Sequence, residues 1–512
     1  MNTDSKVGYP DLTDKDQVFH ALLGHGMFAE TLPPCFTSAG LTGPEIETAH
    51  SNCSRKNHQP VVYRASRHTG VPRHVGIPHP KAYYRLCRTI RECWSQINLH
   101  AGKPKVRFNF THIRRIPGKH HIFEMSYGRK YQQEEYEVEY KLGTEFVVNA
   151  DIATCFSSIY SHAIPWAVVG KREAKRNRSK HRIWYNRLDK AVRCQKGDES
   201  NGILIGPHAS NVISEIILTA VDVKLQDAGY FKIIRHIDDY QYFAKDIHDA
   251  RTFVKALDIC LKEYELVLNH KKTRITPVEK YGDGEWEAKL IRYSIPVKDE
   301  TAYTSISAYL EYAVELSREF SDLSVLKYAI KVLSGRKLSP RARTLYLKTI
   351  LQYALMHPYL LPLLEDHILG LRTGERGELD SFREFLRLLL KKGISQGLGD
   401  AIGFSFYFAL KFGLRIYIDE VEKCIRDILE IQDCIAMVLA YRYFRQYEDT
   451  SIYEFNHKAH EIVNDFDPDR FWLYIYEFPD ALCLVDDRFL KSIKDDNIEF
   501  INVTRDYWNK DK

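Results

Sequence analysis

The chain has 512 residues, a net charge of +5, and 44% hydrophobic and 12% aromatic side chains, enough for about two to four domains with real apolar cores and unlike a disordered or low-complexity protein. No stretch approaches the ~20 apolar residues of a membrane span, since the nearest, 401–418, is interrupted by Lys411 and Arg415. The N-terminus lacks the basic, apolar and small-residue pattern of a secretory leader, and the ten cysteines contain no Cys-x-x-Cys pair, so a reduced cytoplasmic protein without membrane association is expected.

Up to about residue 295, strand-like and helical runs alternate, punctuated by Gly, Pro and His. Val61-Val62-Tyr63-Arg64 and Val75-Gly76-Ile77-Pro78 predict short strands around the turn-forming residues 68–72, and 81–98 predicts an amphipathic helix. Phe146-Val147-Val148-Asn149-Ala150-Asp151 reads as a strand ending on an acid. Between Lys171 and Arg193, ten of 23 residues are Lys or Arg, interleaved with Trp184 and Tyr185. That suits a phosphate backbone with stacked bases, or equally a solvated basic helix face. Apolar spacing predicts a helix over 210–225, a hairpin over 231–244 and a further helix over 250–268.

Beyond about residue 300, Gly and Pro thin out and helical periodicity runs on, as in Ile306, Tyr309, Leu310, Ala313 and Val314 or Ile350, Leu351, Ala354 and Leu355. Helices of about 12–18 residues with short turns suggest stacked helical pairs. The expected division is 1–110, 111–298 and 299–512: an α+β part followed by an all-α part with no chemical motif of its own.

The hairpin carries adjacent acids, Asp238 and Asp239, between apolar strands. A solvated Asp-Asp turn is the ordinary reading of such a pair. Near buried strands, however, two like charges demand a counter-charge such as a divalent cation. Asp151 ends a separate strand 87 residues earlier. Three acids on two adjacent strands can hold two ions about 3.5–4 Å apart, one activating a hydroxyl and one steadying a leaving phosphate.

Asp151-Ile152-Ala153-Thr154-Cys155-Phe156, Gly202-Ile203-Leu204-Ile205-Gly206-Pro207-His208-Ala209-Ser210 and His236-Ile237-Asp238-Asp239 resemble, in order and spacing, the first three palm motifs of reverse transcriptases. Leu268-Asn269-His270-Lys271-Lys272-Thr273 resembles the fourth. Tyr63-Arg64, Arg73 and Ile77-Pro78-His79-Pro80 resemble the fingers, and the likeness covers roughly residues 60–295. The resemblance implies catalytic Asp151, Asp238 and Asp239, with Ile152 in the metal-binding set for two Mg2+ (or Mn2+) ions. It also implies Lys272 as the acid that protonates pyrophosphate, and nucleotide binding by Arg64, Arg73, Phe156 and Gly206, with Arg67 as a substitute for either arginine. Phe156 would bar a ribose 2′-hydroxyl and so select dNTPs.

The closest likeness is to the abortive-infection (Abi) group of prokaryotic reverse transcriptase-like proteins, through Asp151 to Trp166 and through a long helical domain, HEAT-like in organisation, in place of a thumb. His236 and Ile205 depart from the general motifs, where an aromatic residue and a Gln are usual. An Ile cannot donate the Gln amide hydrogen bond, which puts templated copying in doubt. Abi-like enzymes imply untemplated, protein-primed synthesis of single-stranded DNA that stays covalently attached, a role in phage defence, and a homo-oligomer. Tyr9 is the priming candidate, with Tyr346, Tyr353 and Tyr359 as rivals. A templated RNA-dependent DNA polymerase is the alternative, and a binding scaffold on a retired palm a third reading.

Overall fold

The computed structural model describes residues 12–51, 57–67, 69–106, 130–280, 286–293, 295, 300–372, 375–447 and 450–506. Alternate burial of Val61, Tyr63 and Ala65 makes β1 (Val61–Ala65), which pairs antiparallel with β2 (Arg73–Ile77). The helix expected over 81–98 is in fact two, Pro80–Glu92 and Trp94–Ala101. Its break at Cys93, whose N–H is shared between the Thr89 and Ile90 carbonyls, turns the Trp94 indole inward to donate to the Leu12 carbonyl at 2.7 Å.

Strands β3 (Phe146–Asp151), β4 (Ile233–His236), β5 (Asp239–Ala244) and β6 (Arg274–Pro277) form a sheet in the order β4-β5-β3-β6, antiparallel throughout. The strand period of two divides its side chains between faces. Val148, Ala150, Tyr240 and Tyr242 join the main core, while Val147, Ile234 and Phe243 form a small separate cluster with Tyr140 and Val278. Helices His208–Asp227 and Ile247–Lys262 pack together, the latter against β3 and β5. The helix expected to reach 268 stops at Lys262. Glu265, at φ 61°, turns the chain away so that Leu268 bridges to Ile152.

From Tyr303 the chain is helical, and its later part packs on the first sheet. Helices Gly399–Phe412 and Cys434–Gln446 lie against β1. Asp400 accepts a hydrogen bond from the Ser66 N–H at 2.7 Å. The ends of the fold also meet: Thr37 N–H donates to the Phe500 carbonyl (2.9 Å) and Asn502 N–H to that of Cys35 (2.8 Å). Among the described residues, no helix is long and apolar enough to cross a membrane, and the cysteines are free thiols.

Candidate active site

Register builds the site. The β3–β5 ladder sets Asp151 directly opposite Asp239, and the β4–β5 ladder pairs His236 with Asp239, leaving Ile237 and Asp238 as the hairpin tip. Main-chain bonds tie the tip to the end of β3: Ile152 N–H donates to the Asp238 carbonyl (3.2 Å), and Asn269 N–H to that of Asp151 (2.7 Å). Ile237 adopts φ 53°, a left-handed conformation that costs a β-branched residue about 1–2 kcal/mol.

Arg235, wholly buried at 0% exposure, holds that turn. Its Nη1 donates to the Ile237 carbonyl at 2.9 Å and to Glu215 at 3.1 Å. Nε and Nη2 grip Asp222 at 2.7–3.1 Å, and the Tyr240 hydroxyl donates to Asp222 at 3.1 Å. Burial pushes Asp222 up to about 6 against the pull of Arg235. The opposed charges and filled hydrogen bonds are what make a buried guanidinium tolerable.

The three acids act on one another. Asp239 is pushed up to about 7 by partial withdrawal from water, then by the Asp238 charge and a hydrogen bond with Asp151, and Lys272 opposes the rise. Burial and Asp151 also raise Asp238, while its own backbone N–H, Lys272 and Arg73 lower it. Asp151 accepts from Asn269 Nδ2 at 2.7 Å and from the exposed Lys272 Nζ at 3.3 Å. Among the described residues, the one set of three His, Cys, Asp or Glu donors lying within 4.8 Å of one another is elsewhere, so the three acids stand wider apart. An all-oxygen set of carboxylate donors fits a hard divalent cation such as Mg2+.

The cations divide. Burial and neighbouring Arg67 lower Arg73, while Asp238 raises it, placing Arg73 in the field of the acids with Arg67 beside it. Arg64 instead acts on Asp433 of the helical half. Lys327, on helix Ser324–Ser334, feels Lys331, Arg73 and Arg67, so this helix adds positive charge at the same edge. Phe156 is half-buried against the core, and its carbonyl accepts from Ile203 N–H at 2.8 Å. Gly206 has a packing role: at φ +122° it lies where a Cβ would come 2.7 Å from Val75 Cγ1, and the adjacent Ile205 carbonyl accepts from Gly76 N–H at 2.8 Å. This loop is keyed to β2.

The basic run forms helices Lys171–Arg176 and Trp184–Arg193. Lys171, Arg176, Arg187, Lys190 and Arg193 pair with carboxylates. Arg172, Lys175, Arg178, Lys180 and Arg182 are exposed, with no carboxylate partner among the described residues. Lys171, which pairs with Glu265 at 3.1 Å, places the run beside the turn that leads to Leu268.

Tyr9 lies outside the described residues. Tyr346 is wholly buried, and Tyr359, also buried, donates its hydroxyl to the Leu323 carbonyl at 2.6 Å, whereas Tyr353 is half-buried. Arg235, Asn269 and Lys327 were not singled out by sequence. An arginine three residues before Asp238, with a helical Asp222 at hand, was the available signal for the first. The other two depend on tertiary placement.

No protein-family model and no curated protein matches the sequence. Solved structures of telomerase are similar at low levels. Apo telomerase from Candida tropicalis shows 11% identity and a TM-score of 0.32, over 78% of this chain and 69% of that one. The same enzyme truncated from its C-terminal domain shows 12% and 0.31, over 43% and 50%. Telomerase from Candida albicans in complex with a telomeric RNA fragment shows 13% and 0.29, over 85% and 67%. The chain spans half the length of the truncated telomerase it matches. Likeness at this level carries no argument about the activity of this chain.

Proposed function

We propose that the chain is a nucleotidyltransferase, a reverse transcriptase-like DNA polymerase of the Abi type acting in phage defence. In this reading it uses dNTPs without a template, starts from a tyrosine hydroxyl of its own and keeps the single-stranded DNA attached. The observation that carries the proposal is the cross-strand pair Asp151 and Asp239 with Asp238 at the adjoining tip, faced by Lys272 and Arg73. The helical half is read as a HEAT-like array through which copies of the chain associate.

Transfer breaks the O–H bond of the attacking hydroxyl, whose proton passes to water, forms a bond from that oxygen to the α-phosphorus and breaks the bond between the α-phosphorus and the bridging oxygen of the β-phosphate, releasing pyrophosphate. Asp151, Asp238 and Asp239, with Ile152 alongside, would hold Mg2+, which when bound would supply Lewis acidity and neutralise phosphate charge. Arg73 and Arg67 bind the triphosphate and orient it. Lys272 Nζ, held on Asp151, supplies a proton to the departing pyrophosphate. Phe156 stands against the sugar.

Incubating the purified chain with Mg2+ and each dNTP, with no nucleic acid added, should give a slowly migrating, nuclease-sensitive protein–DNA species, and mass spectrometry after nuclease trimming locates the modified tyrosine. Retention of that product in Asp238→Asn or Asp239→Asn would overturn the assignment.

One observation favours a second reading, a templated RNA-dependent DNA polymerase. The five exposed cations Arg172, Lys175, Arg178, Lys180 and Arg182, without a carboxylate partner among the described residues, suit a nucleic-acid backbone. Product complementary to an added RNA, lost on substituting those cations, selects this reading over the first.

A further inference from the structure

Far along the chain from the acids, a buried cluster joins the approach to β1, the entry to helix Pro80–Glu92 and two turns near the C-terminal end of the fold. His58 and His79 are 1% and 0% exposed, and their rings stack with centroids 3.8 Å apart and planes 8° from parallel. His58 Nδ1 lies 3.2 Å from Asp469 Oδ1, whose other oxygen accepts from Gln59 N–H at 3.2 Å. His79 Nδ1 accepts from Lys81 N–H at 3.3 Å, and His79 Nε2 lies 3.4 Å from Asp487 Oδ2. Donor atoms of His58, His79 and Asp469 fall within 4.8 Å of one another, the one such set among the described residues.

This arrangement is poor as a purely hydrogen-bonded core. The buried His58 Nε2 has no hydrogen-bond partner among the described residues, a condition that costs about 1–3 kcal/mol in protein interiors. The carboxylates of Asp469 and Asp487 lie against the two imidazoles at only 14% and 6% exposure, and a divalent cation cancels negative charge held there. With Nδ1 accepting from the Lys81 N–H, a neutral His79 carries its proton on Nε2, toward Asp487, so a metal bound at Nδ1 replaces the Lys81 bond while Asp487 keeps the Nε2 proton and orients the ring. Histidine and carboxylate donors without thiolate suit a borderline ion such as Zn2+ better than Mg2+. Zinc bonds of about 2.0–2.2 Å place neighbouring ligands about 3.3 Å apart, so the donors draw in by up to about 1.5 Å and the rings tilt out of their stack.

We propose that His58, His79 and Asp469, with Asp487 completing or orienting the set, form a structural site for a divalent transition-metal ion that fastens the N-terminal residues and first sheet to the C-terminal end of the fold. The two histidines are buried and Asp469 half-buried, which suits cohesion rather than turnover. It stands independently of the nucleotidyl-transfer reading.

The test is Co2+ titration of the untagged full-length chain, followed by Zn2+. One Co2+ per chain should bind with the intense visible d–d absorption of a low-coordinate nitrogen and oxygen site and be displaced by Zn2+. Asp239→Asn should retain that signal, whereas His58→Gln and Asp469→Asn should each lose it. Zn2+ should raise the Tm of the unsubstituted chain, and a chelator should lower it. If the His58 and Asp469 variants do not fold, NMR of the Co2+-loaded unsubstituted chain decides, through shifted exchangeable imidazole protons from two histidines. Co2+ binding abolished by Asp239→Asn, binding retained in His58→Gln and Asp469→Asn, absence of shifted imidazole signals, or a Tm indifferent to Zn2+ and chelator would each overturn the proposal.

Discussion

The Arg235 guanidinium donates to the Ile237 carbonyl at 2.9 Å, so a fully buried cation fixes the one strained residue of the turn that carries Asp238. Asp222 and Glu215 hold the guanidinium from the helical side. The aim of the acids is therefore set beneath the hairpin rather than at its surface.

Replacing Arg235 with Met leaves the buried Asp222 and the half-buried Glu215 without their cation and should cost about 3–5 kcal/mol of stability. Arg235→Lys keeps a charge but lacks the planar fork. It should fold, with a lowered Tm, and lose at least about tenfold in dNTP incorporation, equal to about 1.4 kcal/mol in transition-state binding. Thermal melts and single-nucleotide incorporation check this. Full activity in Arg235→Lys would show that the turn is positioned by other contacts.

Asp239, with its Asp151 partner, binds its proton more tightly in the fold than an ordinary carboxyl group does. A raised folded value means stability that is complete below the ordinary value of 3.8 and lost as pH rises through about 7. Asp239→Asn should thus melt higher than the parent at pH 8 without divalent ions, by about 1–3 °C after allowance for solvent screening. The difference should vanish near pH 4. Mg2+ should raise the parent Tm at pH 8 and leave the variant unmoved. Differential scanning calorimetry across pH reads both effects.

Gly206→Ala introduces a Cβ at φ +122° and 2.7 Å from Val75 Cγ1. It should destabilise the fold by about 1–3 kcal/mol, measured by urea denaturation. A variant as stable as the parent but with a raised dNTP KM would mean that Gly206 acts on the nucleotide rather than through β2.

Arg73→Ala should raise the KM for dNTPs by about tenfold or more, the loss of about 1.4 kcal/mol in binding. Arg64→Ala, whose charge acts on Asp433, should change KM less and Tm more. Steady-state kinetics on the two variants, beside Arg67→Ala, separates them. Equal KM effects from Arg64 and Arg73 would contradict the division of the cations.

Local patterns made most of the sheet legible. The alternation in 61–65, the apolar run ending at Asp151 and the hairpin around Asp238 all sit within a residue or two of their expected places. Helix ends were less legible, because Cys93 and Glu265 leave their helices through conformations that tertiary contacts select. Adjacent acids in sequence announced a charge problem, but which cations answer it depends on how the sheets lie. Arg64 and Arg73 look alike in sequence, yet a one-residue offset in the β1–β2 ladder, Arg64 opposite His74 and Ala65 opposite Arg73, sends them to different neighbours. Lys327 arrives from a helix whose sequence contains no nucleotide motif, and no local pattern could have announced it.

The clasp between residues 35–37 and 500–502 sets when the molecule can be finished as well as how it is held. Contacts between such distant parts of a chain close late, since loop entropy must be met before they form. Strand β1 likewise receives its covering helices, and Ser66 its Asp400 acceptor, only after the chain has been synthesised well past residue 400. A ribosome-bound chain that ends after the four-stranded sheet holds all three acids but lacks the walls of the first sheet. Nascent chains stalled at about residue 300 should accordingly show the first sheet unprotected in pulsed hydrogen exchange, with protection arriving only once the helices over 399–446 have been made.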